Sequence, residues 1–213
     1  RRLRDRLGGR CRYVITGGAP LLPELGHVLR GAGVTALEGY GLTETFGALT
    51  VNPPQAPRMG TVGRPLPGVR LRIAADGEVL AAGDVLARGY RGDAAPLTDE
   101  AGWFHTGDLG ALDEAGYLTI TGRKKDLIVT AGGKNVAPAR LEDRLGAHPL
   151  IAHGIVVGDQ RPFVAALVEI DEEAWPRWLS AHGKPADSPV AVLRDDPELV
   201  AEVQRAVDDA NRV

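Results

Sequence analysis

Three polar side chains that could handle a nucleotide lie together in the segment Tyr40-Gly41-Leu42-Thr43-Glu44-Thr45. The segment follows a predicted strand, and open α/β sheets bind ligands at the carboxyl ends of their strands. The ring of Tyr40 can stack on a base, the hydroxyl of Thr43 can bond a phosphate oxygen, and the carboxylate of Glu44 can hold Mg²⁺ beside phosphate oxygens. Most segments of this composition are plain turns, so local chemistry alone leaves both interpretations open.

Three further segments could contribute to such a site. Gly17-Gly18-Ala19-Pro20 is a glycine-rich turn that could approach a ligand, but it lacks the Walker spacing and is also explained as a tight turn. Asp108 could accept two hydrogen bonds from a ribose diol, or it could be a solvated turn aspartate. Arg123-Lys124-Lys125-Asp126 is a charge cluster at a predicted domain boundary, although such clusters are usually solvated linkers.

Other kinds of site have little support in the sequence. The five histidines are scattered, with no His-x-x-x-His pair and no Gly-x-Ser-x-Gly segment, which argues against a metal centre and a serine triad. The single cysteine, Cys11, excludes an intramolecular disulfide and argues against structural zinc. We therefore expect a reducing, cytoplasmic setting.

Charge and hydropathy narrow the classes of partner. The 25 basic and 28 acidic residues are interspersed and give a net charge of -3, so we expect no nucleic-acid partner. No apolar run reaches the roughly 18 to 20 residues of a membrane span, and we expect any membrane contact to be peripheral. The chain has no initiator methionine and begins as if in mid-helix, which suggests an excised segment. The sequence leaves the oligomeric state open.

The hydrophobic pattern predicts mixed α/β and α+β structure in several parts. Residues 1–59 look like the last βαβ piece of a larger α/β domain, with strands at 13–16 and 34–37 around a helix that carries Leu22, Leu25 and Leu29. Residues 60–122 predict a small antiparallel β subdomain with strands at 69–73, 78–80, 85–88 and 117–121. The Asp76-Gly77 pair suits a hairpin turn in this subdomain.

Residues 123–126 are a predicted hinge, and 127–213 predict a small, truncated α+β domain. Its expected strands are 127–130, 151–157 and 163–170, and its first helix begins at Pro138. Asp171 could cap a second helix. Asp195 or Asp196 could start a third, with an apolar face of Leu199, Val200, Val203 and Val207 and no end before Val213.

In combination, these segments occur in an order that resembles the adenylate-forming family of acyl-CoA synthetases, luciferases and peptide-synthetase adenylation domains. The matching segments cover 17–138 and read GGAP, YGLTET, GWFHTGD, GYLTITGRKKD and GGKNVAP. The stretches TAGGKNVAP and VVGDQRPFVAALV look most like bacterial long-chain fatty-acid–CoA ligases. The resemblance implies a two-step reaction with ATP, Mg²⁺ and coenzyme A, in which a fatty acid becomes an acyl-adenylate and then an acyl-CoA thioester.

The resemblance also implies roles for particular residues. Gly18, Ala19 and Pro20 would border the adenine and Tyr40 would stack on it, while Asp108 would bind the ribose. The catalytic contacts would come from Thr43 at the α-phosphate, Glu44 as the Mg²⁺ ligand and Arg123 at the ribose or phosphates. The implied nucleotide site comprises Gly18, Ala19, Pro20, Tyr40, Gly41, Thr43, Asp108, Ile120 and Arg123.

A moving second domain completes this picture. Lys125 falls on the family's hinge position, and the turn of Gly132, Gly133, Lys134 and Asn135 would line the path of the CoA thiol. The family's phosphate loop should lie upstream of residue 1 and its adenylating lysine beyond Val213, so we expect the segment alone to be inactive. Two other functions remain open: loading of a carrier-protein phosphopantetheine, and a non-catalytic nucleotide-binding module.

Overall fold

The computed structural model describes residues 2–92 and 95–212. These residues form two compact units, of which the first ends at Lys124 and the second begins at Lys125. The division falls within 123–126, and the hinge role of this segment remains a prediction. Each unit is described by itself below.

A parallel strand pair opens the first unit. After a short helix α1 (Arg2–Arg6), strand β1 (Tyr13–Thr16) runs parallel to β2 (Thr35–Leu42), and α2 (Pro23–Gly31) connects them. Pro23 occupies the first turn of α2, where its missing N–H costs nothing. The predicted βαβ piece is therefore confirmed, and the register aligns Thr16 with Glu38 at the carboxyl ends of both strands.

Strand β2 is longer than predicted. It was expected to end at Leu37 but continues to Leu42, so only Thr43–Thr45 of the YGLTET segment form a tight 3-10 turn. The chain then returns antiparallel as β3 (Gly47–Val51), followed by β4 (Arg64–Pro65). The expectation of a loop was wrong because glycine was read as a sign of a turn. Gly41 is required for close strand pairing, since a Cβ there would overlap the carbonyl oxygen of Gly47.

A second, antiparallel sheet has the order β5-β6-β7-β8, and its strands are β5 (Arg70–Ile73), β6 (Glu78–Ala82), β7 (Phe104–Leu112) and β8 (Leu118–Arg123). The predicted strand at 85–88 is wrong, because this stretch forms turns in which the amide of Ala87 donates to the carbonyl of Glu44. The long strand β7 was missed. Leu49 of β3 packs with Val69, Ala81 and Phe104 in one buried cluster, which joins the two sheets.

The second unit contains the α+β structure that the sequence predicts. Its strands are β9 (Ile128–Val129), β10 (Asn135–Val136), β11 (Ile151–Val157) and β12 (Ala165–Ile170), and its helices are α3 (Pro138–Gly146), α4 (Trp175–Ala181), α5 (Val190–Leu193) and α6 (Pro197–Ala210). β9 pairs with β10, and β11 with β12, both antiparallel. Strand β10 and helix α5 were not predicted.

Asp196, one of the two expected starting residues, caps the C-terminal helix α6 through the amides of Glu198 and Leu199. The helix differs from its prediction in its buried face and in its end. Val200 is exposed, and the fully buried positions are Leu199, Ala206 and Ala210, because small alanines allow the helix to pack closely. The helix ends at Ala210 instead of continuing, and Val213 lies outside the described residues. Within 2–92 and 95–212, no helix is long and apolar enough to span a membrane.

The close approach at Gly41 gives a stability prediction. Gly41→Ala should lower the free energy of unfolding by about 1 to 3 kcal/mol, because the β2–β3 hairpin must open to admit a methyl group. Gly31→Ala is the matched control, since a Cβ at that helical position meets nothing within 4 Å. Urea denaturation measures both variants. Equal midpoints for the two would contradict the packing explanation.

Candidate active site

A buried carboxylate connects the two sheets of the first unit. Asp108 lies in β7 and is 5% exposed. The hydroxyl of Tyr40, on β2, donates to its Oδ2 at 2.7 Å, and Nε of Arg123, on β8, donates to its Oδ1 at 3.1 Å. The prediction that Asp108 could be a solvated turn residue is therefore wrong. Tyr40, Asp108 and Arg123, which are far apart in sequence, meet at one place.

The Tyr40 hydroxyl remains a donor in this arrangement. Burial raises the pKa of Tyr40 far above its usual value, and the neighbouring Asp108 charge acts in the same direction. Thr106 fixes the backbone of Asp108, because its hydroxyl accepts the amide of Asp108 at 3.1 Å and donates to the carbonyl of Val79 at 2.7 Å. Asp108 is thus fixed by β6, β7 and β8 as well as by Tyr40.

The turn after β2 holds the second group of polar side chains. Thr45 is buried, and its hydroxyl accepts the amide of Leu42 at 2.9 Å and donates to the carbonyl of Gly47 at 2.6 Å. These bonds close the 3-10 turn, and Phe46 completes it with a left-handed φ of 51°. Thr43 is exposed at the tip, and Glu44 is half-buried. The backbone therefore presents both side chains outward from the end of β2.

Glu44 is held ionised by a residue that the sequence did not indicate. The hydroxyl of Tyr90 donates to Oε1 of Glu44, and this bond holds the pKa of Glu44 below its usual value. A carboxylate has about four lone-pair sites, so Glu44 can accept further bonds from a ligand. Among the described residues there is no group of three or more His, Cys, Asp or Glu that could hold a metal ion. A cation at Glu44 would therefore take most of its oxygens from a ligand.

The glycine-rich turn lies at the carboxyl end of β1, beside β2. A Cβ on Gly17 would come within 2.8 Å of the Gly39 carbonyl oxygen, so glycine allows the two strand ends to approach. Gly18 has a positive φ of 82°, and Ala19 and Pro20 follow it. The amide of Leu21 donates to the buried carboxyl of Glu38 at 3.1 Å. Burial raises the pKa of Glu38, whose link between this turn and β2 was not foreseen.

The other predicted residues lie on β8 and in the second unit. Ile120 lies on β8 opposite Gly110. Lys125 is the first residue of the second unit. Gly132, Gly133 and Lys134 form the turn between β9 and β10, while Asn135 belongs to β10, opposite Val129. Gly133 has a φ of 78°, and the hydroxyl of Thr130 accepts the amide of Lys134 at 3.1 Å.

A charged cluster occupies the other face of β6 and β7. The carboxylate of Glu78 is 4% exposed and accepts Nδ1 of His105 at 3.0 Å, Nζ of Lys124 at 3.0 Å and the amide of Gly107 at 2.9 Å. Lys124 also pairs with Asp76 at 2.6 Å, and Nε2 of His105 lies 3.4 Å from Asp99. The sequence offered a weak signal for this cluster, since Glu78 follows a turn and His105 lies beside the Thr106-Gly107-Asp108 segment.

Comparison with protein families gives two matches. The family profile described as AMP-binding enzyme matches residues 2–91, and the profile described as AMP-binding enzyme C-terminal domain matches residues 125–213. Long-chain-fatty-acid–CoA ligase FadD15 is 56% identical over 213 residues in Mycobacterium bovis and 55% identical in Mycobacterium tuberculosis. Each alignment covers 99% of this chain, and the chain spans 36% of the length of these relatives.

Solved structures of coenzyme A synthetases resemble this chain. O-succinylbenzoate coenzyme A synthetase of Bacillus subtilis, in complex with the acyl-adenylate intermediate OSB-AMP, superposes with a TM-score of 0.70 at 27% identity, covering 88% of this chain and 44% of that one. The same enzyme with ATP and magnesium ion gives a TM-score of 0.66 at 27% identity, with 79% and 40% covered.

The cluster around Glu78 predicts a pH effect on stability. The hydrogen bond to Glu78 raises the pKa of His105, so this histidine contributes stability that is complete below the unfolded value of about 6.5 and is lost as the pH rises through the folded value. The side chain is 52% exposed, which limits the contribution to about 0.5 kcal/mol or less.

Thermal unfolding of the wild type and His105→Gln should therefore differ most near pH 6 and converge near pH 9. His153→Gln serves as the control, because His153 also faces a glutamate but at a far more exposed position. A constant difference between wild type and His105→Gln at every pH would show that the protonated ring contributes nothing.

Proposed function

This chain belongs to the AMP-binding enzyme family, and on that premise we propose that it is part of a ligase that activates a long-chain fatty acid with ATP and transfers the acyl group to coenzyme A. The observation that carries the proposal is the meeting of Tyr40, Asp108 and Arg123 beside the turn that presents Thr43 and Glu44. The identity to long-chain-fatty-acid–CoA ligases along the whole chain supports the choice of acid and acceptor.

The nucleoside would bind where the two sheets of the first unit meet. Asp108 accepts one bond at each oxygen, and a carboxylate has about four lone-pair sites, so it can also accept the two hydroxyls of a ribose. Gly18, Ala19 and Pro20 would border the adenine, with the Tyr40 ring against its face. Gly41 and Ile120 would complete the pocket through backbone and apolar contacts.

The metal fits the residues that are present. Mg²⁺ favours one or two protein carboxylates together with phosphate oxygens, and Glu44 offers one ionised carboxylate at the tip of a turn. When bound, Mg²⁺ would supply positive charge to the phosphates. Thr43 would donate a hydrogen bond to the α-phosphate.

The chemistry requires positioning and charge neutralisation. In the first step, an oxygen of the fatty-acid carboxylate forms a bond to the α-phosphorus, and the bond to pyrophosphate breaks. In the second step, the CoA thiol loses its proton, its sulfur bonds to the acyl carbon, and AMP leaves. Arg123 bonds Asp108 through Nε, and its guanidinium is more than half exposed, so its other N–H groups can reach phosphate oxygens while the pair with Asp108 stays intact.

The second unit would guide the coenzyme A thiol to the acyl-adenylate. We propose that Lys125 is the pivot between the two steps and that the turn of Gly132, Gly133, Lys134 and Asn135 lines the path of coenzyme A. The positive φ of Gly133 allows backbone to approach a ligand without a side chain in the way. We further propose a cytoplasmic location with at most peripheral membrane contact, which agrees with the free thiol of Cys11.

The function is tested with the intact protein and matched substrates. ATP and a long-chain fatty acid should release pyrophosphate, and coenzyme A should then be consumed, whereas a short-chain acid should react poorly. A phosphopantetheinylated carrier protein replaces coenzyme A in a parallel reaction. Thioester formation on the carrier alone would reject the proposed acceptor, and the absence of any ATP-dependent adenylate would reject the proposed reaction.

Glu44→Gln should reduce adenylate formation about a hundredfold, or by about 3 kcal/mol of transition-state stabilisation, because the amide cannot neutralise charge at the metal. Stability should change little, since the side chain lies at the tip of a turn and packs in no core. Glu24→Gln, at an exposed position in the first turn of α2, is the control. Pyrophosphate exchange is the measurement, and full activity of Glu44→Gln at saturating Mg²⁺ would reduce Glu44 to a turn residue.

A further inference from the structure

The last two residues of the first unit are each held by carboxylates of that unit. Arg123 ends β8, and its side chain pairs with Asp108. Lys124 follows it, and its ammonium lies 3.0 Å from Oε2 of Glu78 and 2.6 Å from Oδ2 of Asp76. β8 ends at Arg123 and a 3-10 turn, Lys124–Asp126, follows, so these two ion-paired side chains fix the chain where the first unit ends.

Glu78 is a strong partner for this contact. Its carboxylate is 4% exposed, and a buried charge must be paired and hydrogen-bonded to be tolerated. Although burial favours the protonated form, the bonds from His105, Lys124 and Gly107 hold the pKa of Glu78 below its usual value. Removing the ammonium of Lys124 would therefore leave the buried carboxylate of Glu78 with one hydrogen bond and one positive charge fewer.

Lys125 differs from its neighbour in its contacts. Both lysines are exposed, but within the described part of the chain the ammonium of Lys125 has no carboxylate or hydrogen-bond partner. It is also the first residue assigned to the second unit. Restraint by side chains therefore ends between Lys124 and Lys125.

We propose that Lys124 is a positioning residue: its ion pairs with Glu78 and Asp76 fix the end of the first unit, so that reorientation of the second unit is confined to Lys125. The inference rests on the proposed function only in assuming that the second unit must reorient between the two steps. The three residues, Lys124, Glu78 and Asp76, are called the linker anchor.

The linker anchor has a distinct kinetic signature. Without it, rotation spreads from Lys125 to Lys124, and a smaller fraction of molecules brings the second unit to the orientation that each step needs. That loss lowers kcat. The side chains proposed to bind the nucleotide, Tyr40 and Asp108, are held by their bond to each other and by the bond from Asp108 to Thr106. These bonds do not involve Lys124, so the KM for ATP stays constant.

A merely structural role would give a different result. Glu78 lies on β6, which pairs with β7, and β7 carries Asp108. If Lys124 only supported this sheet, its loss would displace Asp108 and raise the KM for ATP. The ratio of the effects on kcat and KM therefore separates a positioning residue from a structural one.

The first experiment uses the intact ligase with Lys124→Met, which keeps the alkyl chain but removes the charge. We expect kcat for acyl-CoA formation to fall about tenfold, with the KM for ATP within about twofold of the wild type. Lys124→Arg should restore kcat. Lys184→Met is the matched control, because Lys184 also lies between two carboxylates, Asp196 at 2.7 Å and Glu198 at 2.8 Å, but within the second unit.

The second experiment measures the anchor without any activity. Limited trypsin treatment of the wild type should cut after Lys125 and spare the bond after Lys124, because a paired ammonium cannot enter the protease. In Glu78→Gln, and more weakly in Asp76→Asn, cleavage after Lys124 should rise severalfold. Mass spectrometry of the products identifies the bond that is cut.

Each result decides the proposal. An unchanged kcat in Lys124→Met, a raised KM for ATP, or equal cleavage after Lys124 in all variants would overturn it. Asp108→Asn, assayed in parallel, should raise the KM for ATP and so tests the nucleotide site itself. If the wild type formed no thioester, the proposed function would fail, and the cleavage pattern would still decide whether Lys124 is anchored.

Discussion

The first unit depends on one buried carboxylate. Asp108 is almost fully buried in the middle of β7, and a polar group there needs hydrogen-bond partners, which Tyr40 and Arg123 provide by each donating to one of its oxygens. Tyr40 belongs to the sheet that contains the parallel pair, whereas Asp108 and Arg123 belong to the antiparallel sheet. The polar contact therefore fixes the relation of the two sheets, and the cluster of Leu49, Val69, Ala81 and Phe104 seals it with apolar area.

Much of the secondary structure could be predicted from the sequence. Strands β1 and β11 have the expected bounds, and Pro138 lies in the first turn of its helix as expected. The pattern failed where glycine supports pairing instead of ending it. Gly41 allows β2 and β3 to approach, so β2 continues where a loop was expected. Glycines within β7 likewise concealed a nine-residue strand.

The site was predicted in part, for a physical reason. Tyr40, Thr43, Glu44, Asp108 and Arg123 stood out by residue type and by their order along the chain. Tyr90, Thr106, Glu38 and Glu78 did not, because their roles depend on partners distant in sequence: Glu44, Asp108, the Leu21 amide and Lys124. Hydrogen-bond partners of this kind leave no local pattern, and only the fold brings them together.

In the hairpin of β2 and β3, the residues that set the backbone position differ from the residues proposed to contact the nucleotide. Gly41 leaves no room for a side chain, and the turn beyond it is closed by the buried hydroxyl of Thr45. Main-chain geometry therefore sets where the tip of the hairpin stands, while the side chain of Thr43 at the tip is exposed to solvent. A substitution at Thr43 would consequently remove a contact to the nucleotide without moving the strands, whereas a change at Gly41 shifts the whole hairpin. Lost activity with unchanged stability is therefore the mark of damage at the tip of the hairpin, and the loss of both is the mark of damage at its base.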